Sequence, residues 1–144
     1  KDAIDALEMQ AEKRGISLQL NKKYDKPIYV LADKFRIKMV LLNLITNSIK
    51  YGKDEGKTTI SLDFYKDQVL VEIKDNGIGI DKKHLARLYE RFYRVDKGRS
   101  REQGGTGLGL AIVKHIIEAH HETINVESKL AKGTTFVFTL KRVD

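Results

Sequence analysis

Gly104-Gly105-Thr106-Gly107-Leu108-Gly109-Leu110 leads directly into Ala111-Ile112-Val113-Lys114-His115-Ile116-Ile117, so a glycine-rich loop opens an apolar stretch with helical spacing. A loop of this kind is an anion site. The first N–H groups of a helix have no internal partners and sit at the positive end of its dipole, while glycines let a ligand approach the main chain closely. Five of the chain's 11 glycines lie between Gly98 and Gly109. The stretch lacks the Gly-Lys-Ser/Thr ending of a P-loop, and it does not follow a strand early in a βαβ unit as a dinucleotide fingerprint does. The anion must be held in another way.

The rest of the chain bounds the possibilities. Its 144 residues, 41% of them hydrophobic, make one globular domain spanning 1–144 with enough apolar material for a core. Cysteine is absent, which excludes disulfides and thiolate metal sites and is compatible with a reducing compartment. His84, His115, His120 and His121 lack the spacing of a structural zinc site. No apolar run approaches the ~20 residues of a membrane span and no signal peptide is visible, so the chain is expected to be soluble. It starts at Lys1 rather than at a methionine and is expected to be an excised piece of something longer, so that any membrane or sensory portion would lie outside it. The net charge of +7 raises nucleic-acid binding. Its distribution argues otherwise: Arg91, Arg94, Lys97, Arg99 and Arg101 stand against Asp96 alone, beside the glycine-rich loop. A charge run is by default a solvated face; its position here points to anion contact, and no nucleic-acid partner is expected.

Working outward, Ile4, Leu7 and Ala11 predict a helix over residues 1–14 that stops at Gly15, and Ile16, Leu18 and Leu20 alternate as in a half-buried strand. A short strand is expected at Ile28 to Leu31, and Asp33 is placed to cap a long helix through about Tyr51. Thr58–Tyr65 and Gln68–Lys74 read as a hairpin about Lys66-Asp67. A short helix near Lys82–Tyr89, a loop over 94–107, a helix over about 108–120 and strands at Thr123–Ser128 and Thr134–Lys141 complete the chain. The order α-β-β-α-β-β-α-α-β-β predicts an α+β two-layer sandwich, a mixed sheet of five or more strands covered on one face by about three helices.

Asn43, Asn47 and Lys50 fall on one stripe of the long helix with Tyr51 at its edge, beside the apolar Ile37, Leu41, Leu44 and Ile45. Two asparagines inside a helix cost propensity. A solvated polar face is the ordinary explanation, but Asn/Asn/Lys also offers carbonyl oxygens to a hard cation and an ammonium to phosphate, a combination that suits a Mg²⁺-nucleotide. Asp75-Asn76-Gly77-Ile78-Gly79-Ile80 closes the second hairpin strand. Asn-Gly there is a common turn; equally, a carboxylate at a strand end can accept a hydrogen bond from an exocyclic amine, with Gly77 and Gly79 leaving room for a base. Gly133-Thr134-Thr135 reads first as a hairpin turn.

Together and in this order, these segments resemble the catalytic and ATP-binding domain of bacterial sensor histidine kinases, in the wider group of Bergerat-fold ATPases that includes gyrase and the Hsp90 chaperone. Asn43-Leu44-Ile45-Thr46-Asn47-Ser48-Ile49-Lys50-Tyr51 is similar to the family's N box and Asp75-Asn76-Gly77-Ile78-Gly79 to its G1 box. Leu88-Tyr89-Glu90-Arg91-Phe92-Tyr93-Arg94 resembles the F box, Gly105-Thr106-Gly107-Leu108-Gly109-Leu110 the G2 box, and Gly133-Thr134-Thr135-Phe136 the last glycine motif. The resemblance spans nearly the whole chain. It implies that Asn47 coordinates Mg²⁺ with Asn43 and Lys50 at the phosphates, that Tyr51 flanks the adenine and Asp75 binds its amine, that Gly77, Gly79 and Ile80 shape the base pocket, and that Thr135 lies near the base. Residues 94–107 would be the ATP lid, with Tyr93, Arg94, Gly105, Thr106, Gly107, Leu108 and Gly109 completing the nucleotide site and Arg94 stabilising the transferred phosphoryl group. Asn47, Lys50 and Arg94 would be the catalytic set. Such a mixture suits phosphoryl transfer, which needs positioning and charge neutralisation more than covalent help.

The implied enzyme is an ATP-dependent protein histidine kinase acting on its own dimerisation domain, docked through the Phe92 region. It would signal to a response regulator from the cytoplasmic part of a homodimeric, membrane-associated sensor. Two departures from the family pattern stand out. His121-Glu122 replaces a usual glycine pair, so the helix before it is expected to end without a left-handed glycine. The phosphoacceptor histidine is absent: the four histidines read as surface or helix-end residues, so this fragment should bind ATP yet fail to phosphorylate itself efficiently. The alternatives are a serine kinase of the anti-sigma type and a degenerate nucleotide-binding regulatory module.

Overall fold

The computed structural model describes residues 2–21, 27–91 and 109–143. The elements follow the expected order: α1 (Asp2–Glu12), β1 (Ser17–Leu20), β2 (Val30–Leu31), α2 (Lys34–Lys50), β3 (Lys57–Tyr65), β4 (Gln68–Asp75), α3 (Lys82–Leu85), α4 (Gly109–Ala119), β5 (Ile124–Lys129) and β6 (Gly133–Arg142). The second strand and the third helix are shorter than the sequence suggests. After Leu85 the chain continues in i→i−3 turns, Arg87 to His84 and Glu90 to Arg87, rather than in helix.

The six strands form one mixed sheet in the order β1-β3-β4-β6, with β6 sharing its far edge between two strands: β5 runs beside residues 133–138 and β2 beside 141–142. Among the described residues only β1 and β3 pair in parallel. The register aligns Ile60, Ile73 and Phe136 in one row, Leu62, Val71 and Phe138 in the next, and Phe64, Val69 and Leu140 in the third. Because successive side chains point to opposite faces, these rows make one face continuously apolar. Helix α2 crosses β3 and β4 on that face, flanked by α1 and α4. Val40 and Leu44 of α2, Val113 and Ile117 of α4 and Phe138 of the sheet are fully buried where the layers meet, each contributing about 1.5–3 kcal/mol of burial. No helix among the described residues is long and apolar enough to cross a membrane.

The helix ends are specified locally. Asp33 caps α2 as its spacing predicts, its carboxylate accepting from Arg36 N–H at 3.1 Å. Asp33 N–H donates to His120 Nε2 at 3.0 Å, which leaves the ring proton on Nδ1 to donate to the Ile116 carbonyl at 2.8 Å. One neutral histidine therefore ties the start of α2 to the end of α4. As expected, α4 ends without a left-handed glycine. No glycine is present, yet the left-handed turn forms with His121 at φ 58°. Glu122 N–H reaches the Ile117 carbonyl and His121 N–H the Glu118 carbonyl, the two bonds of a Schellman motif. Replacing His121 with glycine should relieve the β-carbon strain and stabilise the fold by about 0.5–1 kcal/mol, read as a rise of a few degrees in the thermal midpoint.

Candidate functional site

Among the described residues four polar side chains are buried, and all belong to one cluster: Ser48, Thr58, Asp75 and Thr134. They occupy the place where a fourth row of the apolar sheet face would lie. Thr58 of β3 pairs with Asp75 of β4, and Thr134 begins the matching stretch of β6. Ser48 comes down from α2 to within 2.6 Å of the Thr58 hydroxyl. Asp75 Oδ1 accepts from Gly77 N–H at 2.9 Å and Thr134 N–H at 3.2 Å, and the Ser48 hydroxyl supports the same carboxylate.

Burial pushes the Asp75 carboxyl above the usual carboxylate range against the pull of those three hydrogen bonds. No ion pair to it forms among the described residues. A buried carboxylate without an ionic partner costs stability wherever it is only structural, and one at a strand end is chemically able to accept from a hydrogen-bond donor.

The loop after Asp75 is fixed from two sides. Ile78 N–H donates to the Tyr51 carbonyl at 3.1 Å, at the end of α2. On the other side Ile80 N–H donates to Ser128 Oγ at 2.7 Å, Ser128 donates to the Gly133 carbonyl at 3.1 Å, and Ala131 N–H donates to the Ile78 carbonyl at 2.8 Å. Gly79 turns at φ +75°, and a β-carbon there would run into the Lys129 carbonyl. Gly77 has no space for one either, against the Tyr51 carbonyl. Ile80 is buried behind the loop while Ile78 faces outward.

The polar stripe of α2 forms the other end of the site. Asn43 Nδ2 donates to the Met39 carbonyl at 2.8 Å, leaving its Oδ1 toward Gly109, where an added β-carbon would come within 2.9 Å of it. The first residue of α4 is thus seated on the stripe, and with it the N–H groups that lack intrahelical partners and the positive dipole end of an eleven-residue helix. One turn on, the Asn47 amide makes no hydrogen bond with the described residues. Lys50 Nζ lies 5.5 Å from the centre of the Tyr51 ring. This end carries donors and carbonyl oxygen suited to phosphate and a hard cation, the Asp75 end a single acceptor.

Asn43, Asn47 and Lys50 therefore share α2, the carbonyl of its C-cap Tyr51 holds the loop of Asp75, Gly77, Gly79 and Ile80, and Gly109 joins them from a distant part of the chain. Thr135 does not face this cluster. Thr134, Phe136 and Phe138 are buried on the helix side of β6, so Thr135 points from the other face of the sheet, and Thr134 is the threonine beside Asp75. Its hydroxyl lies 2.7 Å from Ser128 Oγ. Ser48 and Thr134 lie inside the quoted motifs without an implied role there, and Ser128 lies outside them; the helical spacing Leu44, Ile45, Ser48 and the alternation Thr134, Phe136, Phe138, Leu140 put Ser48 and Thr134 on buried faces. Phe92, Tyr93, Arg94, Gly105, Thr106, Gly107 and Leu108, with the 94–107 loop, lie outside the described residues.

The sequence matches the family described as histidine kinase-, DNA gyrase B- and HSP90-like ATPases over residues 32–144. It is 47% identical over 118 residues to the sensor histidine kinase WalK of Bacillus subtilis (strain 168), covering 81% of this chain and 19% of that protein. The full-length ShkA crystal structure in complex with AMPPNP superposes with a TM-score of 0.82 at 26% identity, over 99% of this chain and 29% of that one. The histidine kinase ThkA, in complex with the response regulator protein TrrA, superposes with a TM-score of 0.78 at 25% identity, over 99% of this chain and 39% of that one. The chain spans about a fifth of the length of the curated relatives it matches.

Proposed function

Because the chain belongs to the family of histidine kinase-, DNA gyrase B- and HSP90-like ATPases, we propose that it is the ATP-binding catalytic domain of a sensor histidine kinase and passes the γ-phosphoryl group of ATP to a histidine on that kinase's own dimerisation domain. The observation that carries this reading is the buried Asp75 carboxylate, framed by Gly77 and Thr134 N–H groups, at the other end of α2's last turns from the Asn43–Gly109 contact.

The residues fit the group they would hold. Asp75 accepts from the adenine amine, Gly77, Gly79 and Ile80 wall the base, and Tyr51 flanks it. Asn47 offers its carbonyl oxygen to Mg²⁺, a cation that prefers oxygen ligands and keeps several waters. Asn43, Lys50 and the start of α4 at Gly109 hold the phosphates. Bound Mg-ATP supplies the transferable phosphoryl group; the protein's share is to orient it and neutralise its charge. Tyr93, Arg94 and the 94–107 stretch complete the proposal as lid and transition-state contacts. The AMPPNP complex of ShkA and the TrrA complex of ThkA support a nucleotide ligand and a response regulator as downstream partner. In the full-length protein we read a homodimeric sensor with this domain on the cytoplasmic side of a membrane.

Calorimetry with AMPPNP tests the site. Binding by the wild type should strengthen with Mg²⁺, and Asn47→Ala should lose about tenfold of the affinity measured with the metal while keeping the metal-free value. Equal losses with and without Mg²⁺ would remove Asn47 as its ligand. Adding the dimerisation domain then separates the activities: acid-labile phosphohistidine supports the histidine kinase and acid-stable phosphoserine the anti-sigma type.

A further inference from the structure

We propose that Arg14 is a positioning residue of the nucleotide site: its guanidinium, from the corner between α1 and β1, fixes the last turn of α2 where Lys50 and Tyr51 meet the ligand. The proposal rests on the nucleotide reading above. Arg14 belongs to none of the motifs, and it precedes the 32–144 stretch that matches the family.

The last carbonyls of a helix have no internal partner. Arg14 supplies one for two carbonyls at the end of α2 and for a third just beyond it. Nη1 donates to the carbonyls of Ile49 and, at 3.0 Å, Lys50; Nη2 donates to that of Gly52 at 2.8 Å and to Asp54 Oδ1 at 3.1 Å. Nε reaches the same carboxylate oxygen at 3.3 Å. The side chain is only 22% exposed. The clamp closes from the other direction too, because Glu55 N–H donates to Arg14's own carbonyl at 3.0 Å. A cation at a helix C-terminus is favourable in itself. What distinguishes this one is the rigid fork: several donors in a plane span three carbonyls and a carboxylate at once, which the single ammonium of lysine cannot do.

Between the clamped Lys50 and Gly52 stands Tyr51, whose carbonyl receives Ile78 N–H and packs without clearance against Gly77. Gly77 N–H in turn holds Asp75 Oδ1. The clamp therefore reaches both ends of the site, the phosphate end through Lys50 and the base end through the Tyr51 carbonyl. Releasing it frees the turn on which the Asp75 loop rests, and small misplacements of binding groups cost affinity steeply.

The test compares Arg14→Ala, Arg14→Lys and Asp54→Ala by Mg-AMPPNP calorimetry well below each thermal midpoint, with amide exchange at Ile78 in the ligand-free chain. Arg14→Ala should bind about tenfold more weakly and exchange Ile78 faster than its core amides. Arg14→Lys should recover only part of the loss. Asp54→Ala, whose carboxylate is 82% exposed, should match the wild type. A folded Arg14→Ala with a lowered melting point but wild-type affinity and unchanged Ile78 exchange would overturn the positioning role and leave a plain helix cap. Absence of binding by the unaltered chain would instead overturn the nucleotide reading, and the positioning role with it.

Discussion

Asp75→Asn should abolish adenine-nucleotide binding, raising the dissociation constant by about a hundredfold or more, and leave the protein folded. The asparagine keeps an oxygen for the N–H groups of Gly77 and Thr134, so the strand end retains its shape. It places an NH₂ group where the ligand's amine needs an acceptor, and two donors then face each other. Losing a hydrogen bond to a charged group and leaving the amine unpaired costs about 3 kcal/mol.

Stability should move the other way. Burial raises the folded-state pKa of Asp75 above 3.8, so the folded chain binds this proton more readily than the unfolded chain. The group's favourable contribution is fully present below the unfolded value and is lost as pH rises through the folded one. At neutral pH the ionised carboxylate is a burden that asparagine lacks. Thermal melts from acid to neutral pH should show the variant at least as stable as the wild type near neutrality, with this slope removed. Affinity of the wild type should fall as the pH drops through the raised carboxyl value, because the neutral acid is a poorer acceptor. Wild-type affinity in the folded variant would remove Asp75 from the site.

Gly133→Ala carries the largest expected loss of stability, about 3–5 kcal/mol, against a total for domains of this kind of roughly 5–15 kcal/mol. Gly133 begins β6 at φ +125°, a region that residues with a β-carbon hardly enter, and its added carbon would strike the Asp75 carbonyl on the neighbouring strand. Neither atom can yield, because one is main chain in β4 and the other is fixed by the pairing of Gly133 with Lys129. Urea unfolding measures the loss. The same substitution should also weaken nucleotide binding in whatever fraction stays folded, since Thr134 N–H would be displaced from Asp75. A loss under about 1 kcal/mol would show that the hairpin can be repositioned freely.

Most of this architecture is legible in the residues because it is written locally. Asp33 announces the start of α2, Lys66-Asp67 the β3–β4 hairpin, and apolar periodicity the remaining elements. The motifs named the helix and the loop that meet in the candidate site. What escaped depends on partners remote in sequence. Choosing Thr134 over Thr135 requires knowing which face of β6 turns toward the helices. The part played by Arg14 depends on a helix end some 35 residues away, and no local pattern marks an arginine as its cap. His121 is a different case: the sequence shows the missing glycine but not that the left-handed turn persists. The Schellman geometry is demanded by the path from α4 into β5, and the chain accepts the strain of a histidine there.

The sharing of β6 among three neighbours has a consequence in time as well as in space. On the ribosome the chain emerges from its amino end, and by the time residue 75 is out only β1, β3 and β4 can associate, with β2 lacking its partner. The apolar face then stays open along the β4 edge until residues 133–142 are made, when one strand joins β4, β5 and β2 together. Folding of such long-range pairings is slow, and an uncovered strand edge recruits other chains. This stretch of the nascent chain therefore passes its most aggregation-prone interval before residues 133–142 are made, and protection by chaperones matters most just before β6 appears.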